Sequence, residues 1–321
     1  MITVSFLDPV QDLIYRVEAR MRSQADNNHP ELAAALDHLL SSGGKRMRVA
    51  ATLLVGRLLQ ADRERLVTLA ASIELLHTAT LVHDDLIDGS LLRRGIPTLN
   101  AQWSSAATVL TGDFIFAKAA KLASETDSVE VQRLFADTLA IIVSGEIKQL
   151  FTKKRIMSRT DYDKRIYAKT ASLFETATKS AALLADKDES YVSIARQYGY
   201  EIGMAFQIID DVLDFTGEQT TIGKPVGSDL RQGLITLPAL LYFEKFPDDH
   251  DFNALLDSRS LIDINFDRLL DSIRQSGAIS DAVHNAERFV MRAKEALICF
   301  PEGVEKQSLL ELADYIVARH N

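Results

Sequence analysis

Between Pro97 and Pro225 the chain contains no proline, and that gap constrains the fold more than any other feature. Proline inside a helix removes a donor and clashes with the preceding turn, so a long span without it can run as uninterrupted helices. Apolar residues in the span recur at three and four: Leu134, Leu139, Ile142 and Ile147 in one stretch, Ile166, Leu173 and Ala177 in another. Strand-type alternation is scarce. Polar clusters at Glu125–Ser128, Ser158–Asp161 and Ala185–Asp188 read as breaks. The pattern predicts an all-α protein of ten or more helices. No Pro/Gly/Ser-rich linker divides the chain, so residues 1–321 are expected to form a single domain.

Two copies of one acidic pattern, DDxxD, occur at the ends of apolar helical runs. The first is Asp84-Asp85-Leu86-Ile87-Asp88, after Leu75, Leu76, Leu81 and Val82. The second is Asp210-Asp211-Val212-Leu213-Asp214, after Phe206, Ile208 and Ile209. On a helix the first and last aspartates of each copy are i and i+4 and share a face, where like charges repel. Something cationic must neutralise them. Paired hard oxygens suit Mg2+, which keeps waters and is commonly completed by substrate phosphates.

Composition limits the alternatives. The chain is 47% hydrophobic and 25% charged, with net charge −9, which argues against a nucleic-acid backbone as partner. The lone Cys299 rules out an intramolecular disulfide and a Cys-based zinc site, and suits a reducing compartment. Met1 to Arg16 lacks a basic start followed by an apolar core, and no run of 18 apolar residues occurs. A cytoplasmic protein without a transmembrane segment is expected.

Cations form three groups. Gly43-Gly44-Lys45-Arg46-Met47-Arg48 precedes an apolar helical pattern; glycine permits close backbone approach to an anion, and arginine offers a planar fork to phosphate. It is not a Walker loop. Arg93-Arg94-Gly95 lies five residues beyond Asp88, and on a helix such neighbours would serve two different anions. Lys169-Thr170 and, later, Gln207 and Lys224 form the third group. His77 lies two helical turns before Asp84 on about the same face, and His83 reads as packing or as a support behind the carboxylates. No HExxH, GxSxG or GxGxxG pattern appears. The stretch Thr216 to Gly233, with Gly217, Gly223, Gly227 and Gly233, reads as a functional lid.

Together these segments resemble the trans-isoprenyl diphosphate synthases. The matching residues are Gly43–Arg48, His77–Arg94, Thr111-Gly112-Asp113, Gly145-Glu146, Lys169-Thr170-Ala171, Gln207–Asp214, Gly223-Lys224-Pro225 and Gly227–Leu230. The resemblance implies an all-α fold around a deep central cavity, with both acidic clusters at its mouth, and a homodimer. It implies head-to-tail joining of isopentenyl diphosphate to an allylic prenyl diphosphate. It places Asp84, Asp85, Asp88, Lys169, Thr170, Gln207, Asp210, Asp211 and Lys224 in the catalytic set. Mg2+, three per site with substrate bound, would lie on Asp84, Asp88 and Asp210. Arg93, Lys169 and Lys224 would face the allylic diphosphate, and Thr170 and Gln207 the cationic carbon. Lys45, Arg48, His77 and Arg94 would hold isopentenyl diphosphate. Val49 and Leu234 depart from the family pattern, where proline and lysine are common.

Product length is expected to follow from Ala79 and Thr80, five and four residues before Asp84. Short-chain relatives carry Phe or Tyr at one of these places, closing the floor; both are small here. The expected product is longer than C15, in the C25–C50 range, grown from farnesyl or geranylgeranyl diphosphate. A C20 geranylgeranyl synthase, a terpene cyclase and a noncatalytic subunit of a heteromeric synthase are the rival readings. The intact second DDxxD opposes the cyclase, and the intact basic cluster opposes the noncatalytic subunit.

Overall fold

The computed structural model describes residues 5–26, 29–41, 44–151, 158–217, 226–257 and 264–319. It is all-α, with more than ten helices among the described residues, as expected. In order they are α1 (Gln11–Arg22), α2 (Pro30–Ser41), α3 (Met47–Leu58), α4 (Arg63–Ile87), α5 (Leu99–Gln102), α6 (Ser105–Ser124), α7 (Val129–Phe151) and α8 (Arg159–Ile166). There follow α9 (Ser172–Leu183), α10 (Glu189–Thr216), α11 (Ser228–Arg231), α12 (Leu237–Lys245), α13 (His250–Asp257), α14 (Phe266–Gln275), α15 (Ala278–Ala296) and α16 (Val304–Ala318). A π-helical turn, Tyr167–Ala171, joins α8 to α9. Among the described residues the sheet is one antiparallel hairpin, β1 (Leu92–Arg93) with β2 (Ile96–Pro97).

The chain forms two compact units: residues 1–139, 173–199 and 296–312, and residues 140–172, 200–295 and 313–321. The chain passes repeatedly from one to the other.

In the first unit α4 is the core. Asp62 caps it by accepting from the Arg65 N–H at 2.9 Å. Leu66, Leu69, Ala70, Ile73, Leu75, Leu76, Ala79 and Val82 are all buried, which uses more than one helix face because α1, α3 and α6 all contact it. Small residues set the close approaches. A Cβ on Gly56 would stand 2.3 Å from Leu66 Cδ1, and one on Gly112 would stand 2.2 Å from His83 Nε2. Among the described residues α4 is also the one helix long and apolar enough to cross a membrane, but 72% of its most apolar window is buried inside the protein.

In the second unit, arginines tie distant segments together. Arg165 donates to Ile235 O at 2.9 Å, Arg274 to Phe215 O at 2.9 Å, and Arg292 to Glu201 at 3.0 Å. Tyr242, Phe243 and Phe252 make a ring cluster, with Phe243 and Phe252 stacked at 4.8 Å.

Gly56 sets two effects against each other. Alanine in a helix interior is favoured over glycine by about 1 kcal/mol, yet here the added methyl collides with Leu66. Overpacking costs about 1–3 kcal/mol. Gly56→Ala should therefore lower stability in chemical denaturation, whereas a gain would mean that Leu66 simply turns aside.

Candidate active site

In the first unit the candidate residues lie along one face of α4. His77, Thr80, Asp84 and Asp88 are spaced by three, four and four, and each stays partly open to solvent. Ala79, by contrast, is fully buried and stands well around the helix from Asp84. Thr80 donates back to His77 O at 2.7 Å, as helical threonines do.

Asp85 plays a different part from its neighbours. It is buried, and Arg93 grips it with Nε at 2.9 Å from both carboxylate oxygens and Nη2 at 2.8 Å from Oδ1. The two arginines are not on a helix. Arg94 and Gly95 form a two-residue hairpin turn, both with positive φ, +54° and +78°, the I′ geometry that favours glycine. Strand β1 thus turns Arg93 toward Asp85, while Arg94 at the tip reaches Gly44. A Cβ on Gly44 would lie 3.0 Å from Arg94 Nη1, so the bare backbone there is what admits the guanidinium.

The basic segment before α3 divides its charges. Arg46, in the left-handed region at φ +46°, turns inward to Glu18, Glu74 at 2.8 Å and Leu40 O. Lys45 is exposed. Arg48 lies over the Phe174 ring at 4.5 Å. Gly43 lies outside the described residues. Burial, and then Arg48, Arg94, Arg93 and Arg46, hold the His77 imidazole well below its usual range. A neutral histidine among arginines is suited to an anion, whose charge would relieve that positive field. His83 packs in the space left by Gly112, with Nε2 3.2 Å from Val109 O.

In the second unit Lys169 and Thr170 lie in the π-helical turn, a form common at functional sites. Gly145 makes room for this turn, since a Cβ there would stand 2.6 Å from Ala168 Cβ. Thr170 donates to Gln207 Oε1, Gln207 Nε2 donates to Asp211 Oδ1 at 2.8 Å, and Tyr162 donates to Asp211 Oδ2 at 2.7 Å. This chain fixes which end of the Gln207 amide faces Thr170. Tyr162, 49 residues before Asp211, carries no sequence signal that would have found it. Arg319, which donates to Asp210 Oδ1 at 2.8 Å, was equally invisible.

Asp214 accepts from the backbone N–H groups of Ser228 and Asp229 at 3.1 and 3.2 Å, capping α11. Gly227 enters this turn at φ +68°. The stretch Thr216–Gly233 is therefore partly helical, at Ser228–Arg231. Lys224, with Gly223 and Pro225, lies outside the described residues. Burial pushes the Asp211 carboxyl up to about 6. Burial, and then Asp229, push Asp214 up to about 7. Among the described residues no three His, Cys, Asp or Glu side chains converge as a complete metal cage. Carboxylate pairs completed by water and phosphate are the arrangement Mg2+ accepts, and the partly open Asp84 and Asp88 fit it.

A family model described as polyprenyl synthetase matches residues 29–265. A prenyl transferase of Synechocystis is 36% identical over 99% of this chain and 98% of its own length. Heptaprenyl diphosphate synthase component 2 of Bacillus subtilis is 34% identical over 98% of this chain and 89% of its own. The crystal structure of a Caulobacter crescentus polyprenyl synthase complexed with calcium and isoprenyl diphosphate superposes with a TM-score of 0.93. It is 35% identical and covers 99% of this chain and 98% of that one.

The raised carboxyls predict a pH dependence. Unfolded, Asp211 and Asp214 ionise near 4; folded, at about 6 and 7. Between those values the folded state holds the extra protons, so their contribution to stability falls as pH rises from about 4 to 7 and is flat above. Asp214→Asn removes one of these groups. In metal-free buffer its melting temperature relative to wild type should rise between pH 5 and pH 8, and a constant difference would refute the raised value.

Proposed function

The chain belongs to the polyprenyl synthetase family and is a trans-polyprenyl diphosphate synthase making long-chain products; from that premise we propose how its residues divide the reaction. Members of the family join isopentenyl diphosphate to an allylic diphosphate. The allylic C–O bond breaks toward the diphosphate, and the double bond of isopentenyl diphosphate attacks the resulting cation. A proton then leaves for the departing diphosphate.

Asp84 and Asp88 on α4 and, separately, Asp210 on α10 would hold Mg2+, expected at three ions per site with substrate bound. When bound, Mg2+ supplies Lewis-acid neutralisation of a leaving group that otherwise departs poorly. Asp85 and Asp211 act as positioning residues, through Arg93 and Gln207 respectively. Lys169, Arg93 and Lys224 receive the allylic diphosphate. Because the Thr170 proton is committed to Gln207, the hydroxyl oxygen keeps its lone pairs for the cationic carbon. Lys45, Arg48, His77 and Arg94 hold isopentenyl diphosphate. The observation that carries this reading is the neutral His77 among arginines on the same α4 face as Asp84 and Asp88.

The protein works as a homodimer in the cytoplasm. Exposed Leu110 on α6 and, separately, exposed Ile147, Leu150 and Phe151 on α7 support a subunit partner, and the single cysteine suits a reducing compartment. Incubation with labelled isopentenyl diphosphate, farnesyl diphosphate and Mg2+ tests the whole reading: elongated product supports it, while cyclised hydrocarbon or no product opposes it.

Asp84→Ala and Asp210→Ala should each cut turnover on the order of 10²-fold or more, the scale of removing one electrostatic stabiliser, with helix content unchanged by circular dichroism. Near-normal turnover in both would refute the metal assignment.

Product length is read from the floor residues. Chromatography of dephosphorylated products should show a wild-type chain of C25–C50. Thr80 shares the face of Asp84, about one turn or ~6 Å deeper, so Thr80→Phe should shorten the product. Ala79→Phe should do so too, although its methyl is enclosed. Unchanged length in both variants would show that the tail grows elsewhere.

A further inference from the structure

We propose that Arg319 is a resident counter-cation for Asp210, which a divalent cation must displace before that carboxylate can ligate it. The inference rests on the reading of Asp210 as a metal ligand and adds a competition at that ligand. Arg319 follows α16, and its Nη2 donates to Asp210 Oδ1 at 2.8 Å. Its guanidinium carbon lies 4.4 Å from the centroid of the Phe206 ring. Phe206 is one helical turn before Asp210 on α10, so ring and carboxylate hold one guanidinium from the same helix face. The Arg319 side chain is 12% exposed and that of Asp210 36%, so solvent screens this pair less than an ordinary surface ion pair.

The pairing is incomplete on the arginine side. A guanidinium has five N–H donors, and Arg319 Nε and Nη1 are buried with no hydrogen-bond partner among the described residues. Buried donors left unmade are costly. Arg319 is thus held firmly enough to occupy Asp210 while being short of acceptors. A diphosphate carries several anionic oxygens and matches the planar fork of arginine. With the guanidinium turned off Asp210 toward the incoming anion, those oxygens would accept from the buried donors as the carboxylate is released. Metal alone must instead displace the cation with nothing to receive it. Metal and diphosphate would then bind cooperatively through one carboxylate.

Mn2+ binding by electron paramagnetic resonance, on the full chain with and without inorganic diphosphate, tests this without any turnover. Arg319→Met keeps an apolar stem over Phe206 and removes the charge. It should bind Mn2+ alone more tightly than wild type, on the order of 5- to 50-fold, with a smaller gain on adding diphosphate. Arg319→Lys should fall between, and it serves if the methionine variant folds poorly by circular dichroism. Equal Mn2+ affinity in wild type and both variants, with Asp210→Asn losing a site, would overturn the competition and leave the metal reading standing. Full Mn2+ occupancy in Asp210→Asn would overturn both.

Discussion

Six aspartates in two helical clusters can coexist in this fold because the middle one of each triplet is engaged inside the protein. Asp85 is buried against Arg93, and Asp211 is buried between Tyr162 and Gln207. Like charges at i and i+4 already repel, and a third ionised carboxylate without a partner would add desolvation to that repulsion. Committing the middle residue inward lowers the outward charge and gives each cluster a fixed second layer. The two solutions differ in kind. Asp85 receives a full cation, while Asp211 receives neutral donors and is pushed up to about 6 by burial.

The same economy governs the cations. Arg46 and Arg48 are two residues apart, yet the positive φ at Arg46 turns it to Glu18 and Glu74 while Arg48 lies over Phe174. Arg93 and Arg94 are adjacent, yet the hairpin sends one to Asp85 and the other to Gly44. In each pair one arginine also binds a buried carboxylate, while all four contribute to the field at His77. A run of basic residues therefore overstates the donors available to a ligand, and the backbone conformation decides how each member's donors are divided.

How much of this was legible follows from the range over which each feature is encoded. The all-α class and the helical setting of both DDxxD patterns could be read because helical periodicity and a proline gap are local signals. The shared face of His77, Thr80, Asp84 and Asp88 followed from spacing alone. The hairpin at Arg94-Gly95 was legible in principle, since a positive-φ dipeptide ending in glycine is a turn signal, but the helical assumption hid it. The π-helical turn at Lys169-Thr170 was not legible, because the room for it comes from Gly145 on another helix. Nor was α11 in the glycine-rich stretch, whose cap is Asp214 fourteen residues earlier. Tyr162 and Arg319 reach their aspartates across 49 and 109 residues, a distance over which no periodicity carries information.

The charge order along α4 shows how a single helix can orient an anionic substrate. His77 and Asp84 are separated by seven residues, about 10 Å along the axis. Burial first and then the surrounding arginines hold the His77 imidazole well below its usual range, whereas Asp84 and Asp88 bring two carboxylates to the same face. A phosphate placed near His77 meets arginines directly, whereas one placed near Asp84 is repelled until a cation intervenes. On the proposed assignment, one helix face would separate two diphosphates by what each requires: one would need only protein cations, the other metal as well. That difference would set which substrate lies where without any contact to the hydrocarbon, and would leave the small residues between these positions, Thr80 foremost, to act on chain length.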